Sequence, residues 1–212
     1  MVRFGLTVVR HGETRYNKDK ILQGVDGVGE VEQTAATIIG KNKFCKDLEI
    51  KCDTRLRERV RERARDFFEF LCQLAVEVEQ KDQEMHGAAS RSSGMYEEGS
   101  VFPWTDDHSV RELSSANSGA SELLLDANIL VVSHGAYMRN WIGYFVSDLK
   151  CSLPANLTKT QLSSVSPNTG VSHFIIKLEN RTVLKPEIIC VCLNQDSHLV
   201  DVGAECVAPK MF

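Results

Sequence analysis

The residue pattern points to an α/β layered domain, on three observations. Short β-rich apolar runs alternate with a long amphipathic helical segment, which is the order of a layered sheet-and-helix architecture. Two of the strand-like runs end alike, in Val8-Val9-Arg10-His11-Gly12 and Val131-Val132-Ser133-His134-Gly135. The composition is that of a globular domain: 42% hydrophobic and 25% charged over 212 residues, enough for one domain and wrong for a fibre, a coiled coil or a disordered chain.

The elements follow in order. Residues 3–10 carry Phe4, Leu6, Val8 and Val9 and read as a buried strand. Residues 24–32 hold Gly24, Gly27 and Gly29 among Val, Asp and Glu and read as a loop, followed by a short helix over 33–41. A weak alternation suggests a strand over 48–52. Residues 55–84 repeat Leu56, Val60, Ala64, Phe67, Phe68, Leu71, Leu74, Ala75 and Val78 at three- and four-residue steps, the period of a helix with one apolar face. Residues 86–121 are rich in Ser, Gly and Ala and read as a long insertion within a single domain of 1–212. A second buried strand follows over 128–133. A helix over 136–149 has Met138, Trp141, Ile142 and Phe145 on one face, and strands over 172–178 and 187–193 close the chain.

Charge and cysteine content narrow the function. A net charge of -4 offers no general attraction to nucleic acid or an anionic membrane, and no apolar run is long enough to span a bilayer. No leader pattern is read at residues 1–10. Seven irregularly spaced cysteines without a C-x-x-C pair suggest a reduced, intracellular chain. Cys190 and Cys192 are expected on opposite faces of a strand, which makes a zinc site there a poor reading.

In open α/β sheets ligands bind beyond the carboxyl ends of the strands. His11 and His134 both emerge there. The Gly after each lets backbone approach a ligand, and a helix starting after each Gly would attract an anion. The pair therefore describes a phosphate pocket with two imidazoles in it. Unrelated turn histidines and a two-histidine metal site are the competing readings. The second lacks H-E-x-x-H spacing and has the cation Arg10 next to His11. A G-x-S-x-G elbow, a Walker loop and G-x-G-x-x-G are all missing from the sequence.

Leu6-Thr7-Val8-Val9-Arg10-His11-Gly12-Glu13-Thr14 with Asn17 resembles the histidine phosphatase superfamily, also called phosphoglycerate mutase-like. The likeness extends through Ile21-Leu22-Gln23-Gly24, Arg55-Leu56-Arg57-Glu58-Arg59, Val131 to Arg139 and Pro167-Asn168-Thr169-Gly170. There it is to the fructose-2,6-bisphosphatases of the superfamily, regulators of glycolysis and apoptosis. It implies a three-layer fold with a mostly parallel central sheet flanked by helices. It also implies a cytoplasmic, monomeric phosphatase for a small phosphorylated metabolite, with no cofactor and no metal. His11 would be the nucleophile, Arg10 and His134 would hold the phosphoryl oxygens, and Asn17, Gln23, Gly24 and Gly135 would complete the cradle. Glu58 would serve as general acid and base; its charge pairing with Arg61 also fits a solvated helix residue.

The chain departs from that pattern twice. A helix, a second core strand and an Arg before Gln33-Thr34 are missing, and Glu30 stands in the slot of that Arg, where a carboxylate repels phosphate. A substrate loop after Arg59 is missing as well. Three functions stay open: a phosphatase, a catalytically impaired homologue that binds or regulates, and a mutase.

Overall fold

A computed structural model describes residues 1–13, 28–42, 48–56, 61–85, 125–155, 157–179 and 185–199. Strand β1 (Val2–Arg10) is the centre of the fold. In chain order helices α1 (Val28–Lys41) and α2 (Arg61–Met85) come next, before strand β2 (Ala127–Ser133). Helices α3 (Gly135–Ser147) and α4 (Lys159–Ser163) follow, then β3 (Val171–Leu178) and β4 (Glu187–Gln195). The sheet order is β2-β1-β3-β4.

The α/β layering is as read from the sequence, but the sheet is mixed rather than mostly parallel. β1 and β2 run parallel because a long crossover containing α1 and α2 joins them. β3 is antiparallel to both β1 and β4.

Alternation along β1 sends Val2, Phe4, Leu6 and Val8 into one core with Phe174, Ile176 and Leu178 of β3. α2 covers that face with Ala64, Phe67, Phe68, Leu71, Cys72 and Ala75, and α3 with Tyr137, Met138, Trp141, Ile142 and Phe145. Rings tie the layers together. The Trp141 ring lies 5.7 Å from Phe67 and 5.4 Å from Phe145, and Phe145 meets Phe68 at 4.8 Å and Phe174 at 5.1 Å.

Several element readings are corrected. α1 begins at Val28, so 28–32 is helix rather than loop; Glu30 in its first turn suits the positive end of the helix. Residues 48–52 form no strand; they run irregularly into a 3₁₀ turn, Thr54–Leu56. The helix expected from residue 55 is described from Arg61 to Met85. The 86–121 segment lies outside the described residues. A register shift opposes Cys190 to Phe174 and Cys192 to His173. Adjacent residues of β3 face opposite ways, so this bulge separates the two cysteines, which an unbroken strand would place on one face.

Candidate active site

The parallel register of β1 and β2 builds the site. Arg10 pairs with Ser133, so the next residue of each strand, His11 and His134, leaves the sheet side by side. The His11 N–H donates to the Ser133 carbonyl at 3.0 Å, which holds the two strand ends together. Their rings lie 5.0 Å apart at 70°, edge to face. Both residues are buried.

One nitrogen of His11 is committed. Nδ1 lies 2.8 Å from the Gly12 carbonyl. A carbonyl only accepts, so Nδ1 carries the proton. Nε2 of the neutral ring then keeps its lone pair, the state a nucleophile needs. His134 is the N-cap of α3, with extended backbone and no side-chain cap bond. The N–H groups of a helix's first turn and the helix dipole put positive potential at this end.

Arg10 is held from two sides. Its Nη1 donates to the Ser166 carbonyl at 2.7 Å, and its backbone N–H donates to the Gly170 carbonyl at 3.1 Å. The guanidinium passes so close to α3 that a Cβ on Gly135 would lie 3.1 Å from Arg10 Nε and 2.7 Å from Val165 Cγ1. Glycine at 135 is therefore what admits the arginine. Ser133 Oγ donates to the Leu56 carbonyl at 3.0 Å and draws the Thr54–Leu56 turn toward the end of β2.

Of the residues named from sequence, Arg10, His11, His134 and Gly135 come together here. Asn17, Gln23, Gly24 and Glu58 lie outside the described residues, as does the helix expected after Gly12. Glu30 sits on α1, and its carbonyl accepts from Thr34 Oγ1 at 2.8 Å. Three residues given no role by the sequence reading also meet the site. Thr34 Oγ1 accepts the Gly12 N–H at 3.1 Å, and the Thr169 N–H donates to the His11 carbonyl at 3.3 Å. His198 Nε2 lies 3.1 Å from Thr169 Oγ1. Gln33-Thr34 and Pro167-Asn168-Thr169-Gly170 carried the family likeness, which was the available signal for the threonines. Nothing in the sequence singles out His198. Among the described residues, no group of three His, Cys, Asp or Glu side chains could hold a metal ion, and no helix is long and apolar enough to cross a membrane.

Two imidazoles and a guanidinium are thus delivered by neighbouring strand ends beside a helix N-terminus, the arrangement that the resemblance to the histidine phosphatase superfamily leads one to expect. Comparison with protein-family models finds no match. Among characterised proteins, the fructose-2,6-bisphosphatase TIGAR of Xenopus tropicalis is 36% identical, covering 97% of this chain and 98% of the relative. TIGAR of Mus musculus is 37% identical, covering 94% and 97%, and that of Bos taurus 35%, covering 96% and 99%. The chain belongs to the TIGAR family of fructose-2,6-bisphosphatases. The Xenopus alignment runs over 274 positions against the 212 residues here, so the relative carries segments without a counterpart in this chain. A solved phosphoserine phosphatase mutant from Entamoeba histolytica, in complex with phosphoserine, is 18% identical with a TM-score of 0.40; it covers 93% of this chain and 100% of that one, and is too distant to argue from.

Proposed function

We propose that this chain hydrolyses fructose-2,6-bisphosphate, or a similar small phosphorylated metabolite, through a phosphohistidine on His11. The observation that carries the reading is the 5.0 Å pairing of the His11 and His134 rings at the ends of adjacent parallel strands. His11 Nε2 attacks phosphorus, and the bond from phosphorus to the sugar oxygen breaks. The Gly12 carbonyl stabilises the charge that the ring acquires, through Nδ1–H. Arg10, His134 and the first turn of α3 take up the charge on the phosphoryl oxygens. Water then attacks the phosphohistidine, releases phosphate and returns the free imidazole. Family likeness gives Glu58 the proton transfers to the leaving oxygen and from the water, and gives Asn17, Gln23 and Gly24 the rest of the cradle. The same likeness supports one domain acting as a cytoplasmic monomer in the control of glycolysis, without a nucleic-acid or membrane partner.

Incubation with substrate labelled in the 2-phosphate tests this. Acid-labile label on His11, lost in His11→Ala, is the expected result. No label and no phosphate release from protein that unfolds cooperatively would overturn it. One observation favours a second reading, a binding or regulatory protein with impaired turnover: Glu30, in the slot of a phosphate-clamping Arg, lies one turn before the residue that touches Gly12. Under that reading His11→Ala leaves the cellular effect intact.

A further inference from the structure

The His11–Gly12 peptide is gripped at both of its polar atoms. Its carbonyl accepts the Thr169 N–H at 3.3 Å, and its N–H donates to Thr34 Oγ1 at 3.1 Å. In a trans peptide these two groups point in opposite directions, so two partners on opposite sides fix the rotation of the plane. The next carbonyl along, that of Gly12, is the one that holds His11 Nδ1 at 2.8 Å. That carbonyl belongs to the following peptide, so the plane that α1 and the 164–170 loop hold in place carries the His11 Cα at one end and, at the other, the Gly12 Cα from which this carbonyl extends.

The hydroxyl of Thr34 has a definite polarity. It has a single proton, and that proton goes to the Glu30 carbonyl at 2.8 Å. Toward Gly12 it can only accept, which is what a backbone N–H requires. The helix prepares this arrangement, since a threonine hydroxyl reaches the carbonyl four residues back and its χ1 is narrowly restricted. Thr169 is held from its own side. It has φ of 57°, uncommon for a β-branched residue, and its hydroxyl donates to the Asn168 carbonyl at 2.7 Å while His198 Nε2 lies 3.1 Å away.

We infer that Thr34 is a positioning residue for His11: by accepting the Gly12 N–H it fixes the His11–Gly12 peptide, and so the Cα from which the next carbonyl, that of Gly12, reaches His11 Nδ1 and keeps the Nδ1–H tautomer with Nε2 aimed at phosphorus. This rests on the phosphatase reading for its kinetic test, though not for its spectroscopic one. Thr34→Val keeps the shape and removes the acceptor. It is expected to lower kcat between about tenfold and a hundredfold, the cost of misplacing a reacting group by up to about 1 Å. KM stays within about twofold, because Thr34 does not bind substrate. Thr34→Ser restores the hydroxyl and recovers most of kcat.

The imidazole ¹⁵N shifts of His11 supply the second readout. Wild type and Thr34→Ser should show one protonated Nδ1, whereas Thr34→Val should show averaging of the two tautomers. A folded Thr34→Val with wild-type kcat and an unchanged tautomer overturns the inference. So does a Thr34→Ser as slow as Thr34→Val, because packing of the methyl would then be what matters. Should Thr34→Val fail to fold, Thr34→Cys replaces it with a weak sulfur acceptor, and the same loss is expected. Wild-type protein that turns nothing over, yet shows the tautomer fixed by Thr34, sinks the phosphatase reading and leaves the positioning role standing.

Discussion

Gly135→Ala separates the chemistry of the site from the stability of the fold. Gly135 is the first residue of α3, and a Cβ built on it meets Val165 Cγ1 at 2.7 Å, Arg10 Nε at 3.1 Å and Arg10 Cδ at 3.2 Å. Carbon atoms rest about 3.5–4.0 Å apart, so Val165 must retreat by about 1 Å and Arg10 by a few tenths of an ångström. Val165 is 47% exposed and can move into solvent at little cost. The Arg10 guanidinium is anchored on the Ser166 carbonyl and moves at the expense of that bond. Overpacking of this kind costs about 1–3 kcal/mol, whereas alanine in a helix gains up to about 1 kcal/mol over glycine. The net loss of stability is therefore about 1 kcal/mol, a few degrees in Tm for a chain this size. Under the proposed role of Arg10 catalysis is more sensitive, because a phosphate-clamping arginine displaced by part of an ångström loses its alignment with the transition state. An expected tenfold fall in kcat/KM corresponds to about 1.4 kcal/mol. Phosphate release from fructose-2,6-bisphosphate, read beside thermal unfolding, checks both halves. A variant with kcat/KM within twofold of wild type would show that the close approach of Arg10 to α3 is not needed for catalysis.

Two further expectations concern stability. His173 is 2% exposed, with Nδ1 2.9 Å from Thr7 Oγ1, and burial lowers its pKa to about 4 from an ordinary 6.5. The unfolded chain takes up this proton first, so stability is full above pH 6.5 and falls as the pH drops toward 4, by about 3 kcal/mol. His173→Gln should flatten that slope in denaturant titrations, and an unchanged slope would reassign it to other groups. Trp141→Ala removes the ring that joins α2 to α3 and should cost about 3–5 kcal/mol in urea unfolding; a loss under 1 kcal/mol would mean the aromatic core is not packed as described.

What could be read in advance divides along a physical line. The core face of α2 was legible because a single face of a helix repeats every 3.6 residues, and Ala64, Phe67, Phe68, Leu71 and Ala75 are buried as that period requires. His11 and His134 were legible because the same strand-end pattern occurs twice. Their adjacency depends on β1 pairing directly with β2, a contact between residues more than a hundred positions apart that no local pattern encodes. Sheet direction was misjudged for the same reason, since β3 joins β1 from its other side and runs opposite to it. Residues 28–32 looked like loop because of Gly27 and Gly29, whereas the helix begins at Val28 and meets the site through Thr34 on the Gly12 N–H. Thr34 and Thr169 were given no role because each meets the site through one backbone contact, which leaves no periodic trace; the family likeness was their one signal.

In the sheet that the described residues form, β2 stands at one end of the strand order. Among the described residues β2 pairs only with β1, so the outer N–H and C=O groups of Ala127–Ser133 have no ladder partner. Sheet edges are ordinarily blunted by lysine, proline or a bulge. The run Ala-Asn-Ile-Leu-Val-Val-Ser has neither charge nor proline and pairs with β1 in unbroken register, and Leu130 on it is 42% exposed. The proposed working species is a monomer, which makes this edge a liability at high concentration rather than an interface. Leu130→Lys adds a gatekeeper charge where the side chain already meets solvent. Its effect on stability should stay within about 0.5 kcal/mol, the range of surface substitutions, while the onset of association moves to higher concentration. Light scattering against concentration, at temperatures matched for distance below Tm, measures this directly. Equal association of wild type and Leu130→Lys would place the sticky surface elsewhere on the molecule and show that the outer edge of β2 is already covered.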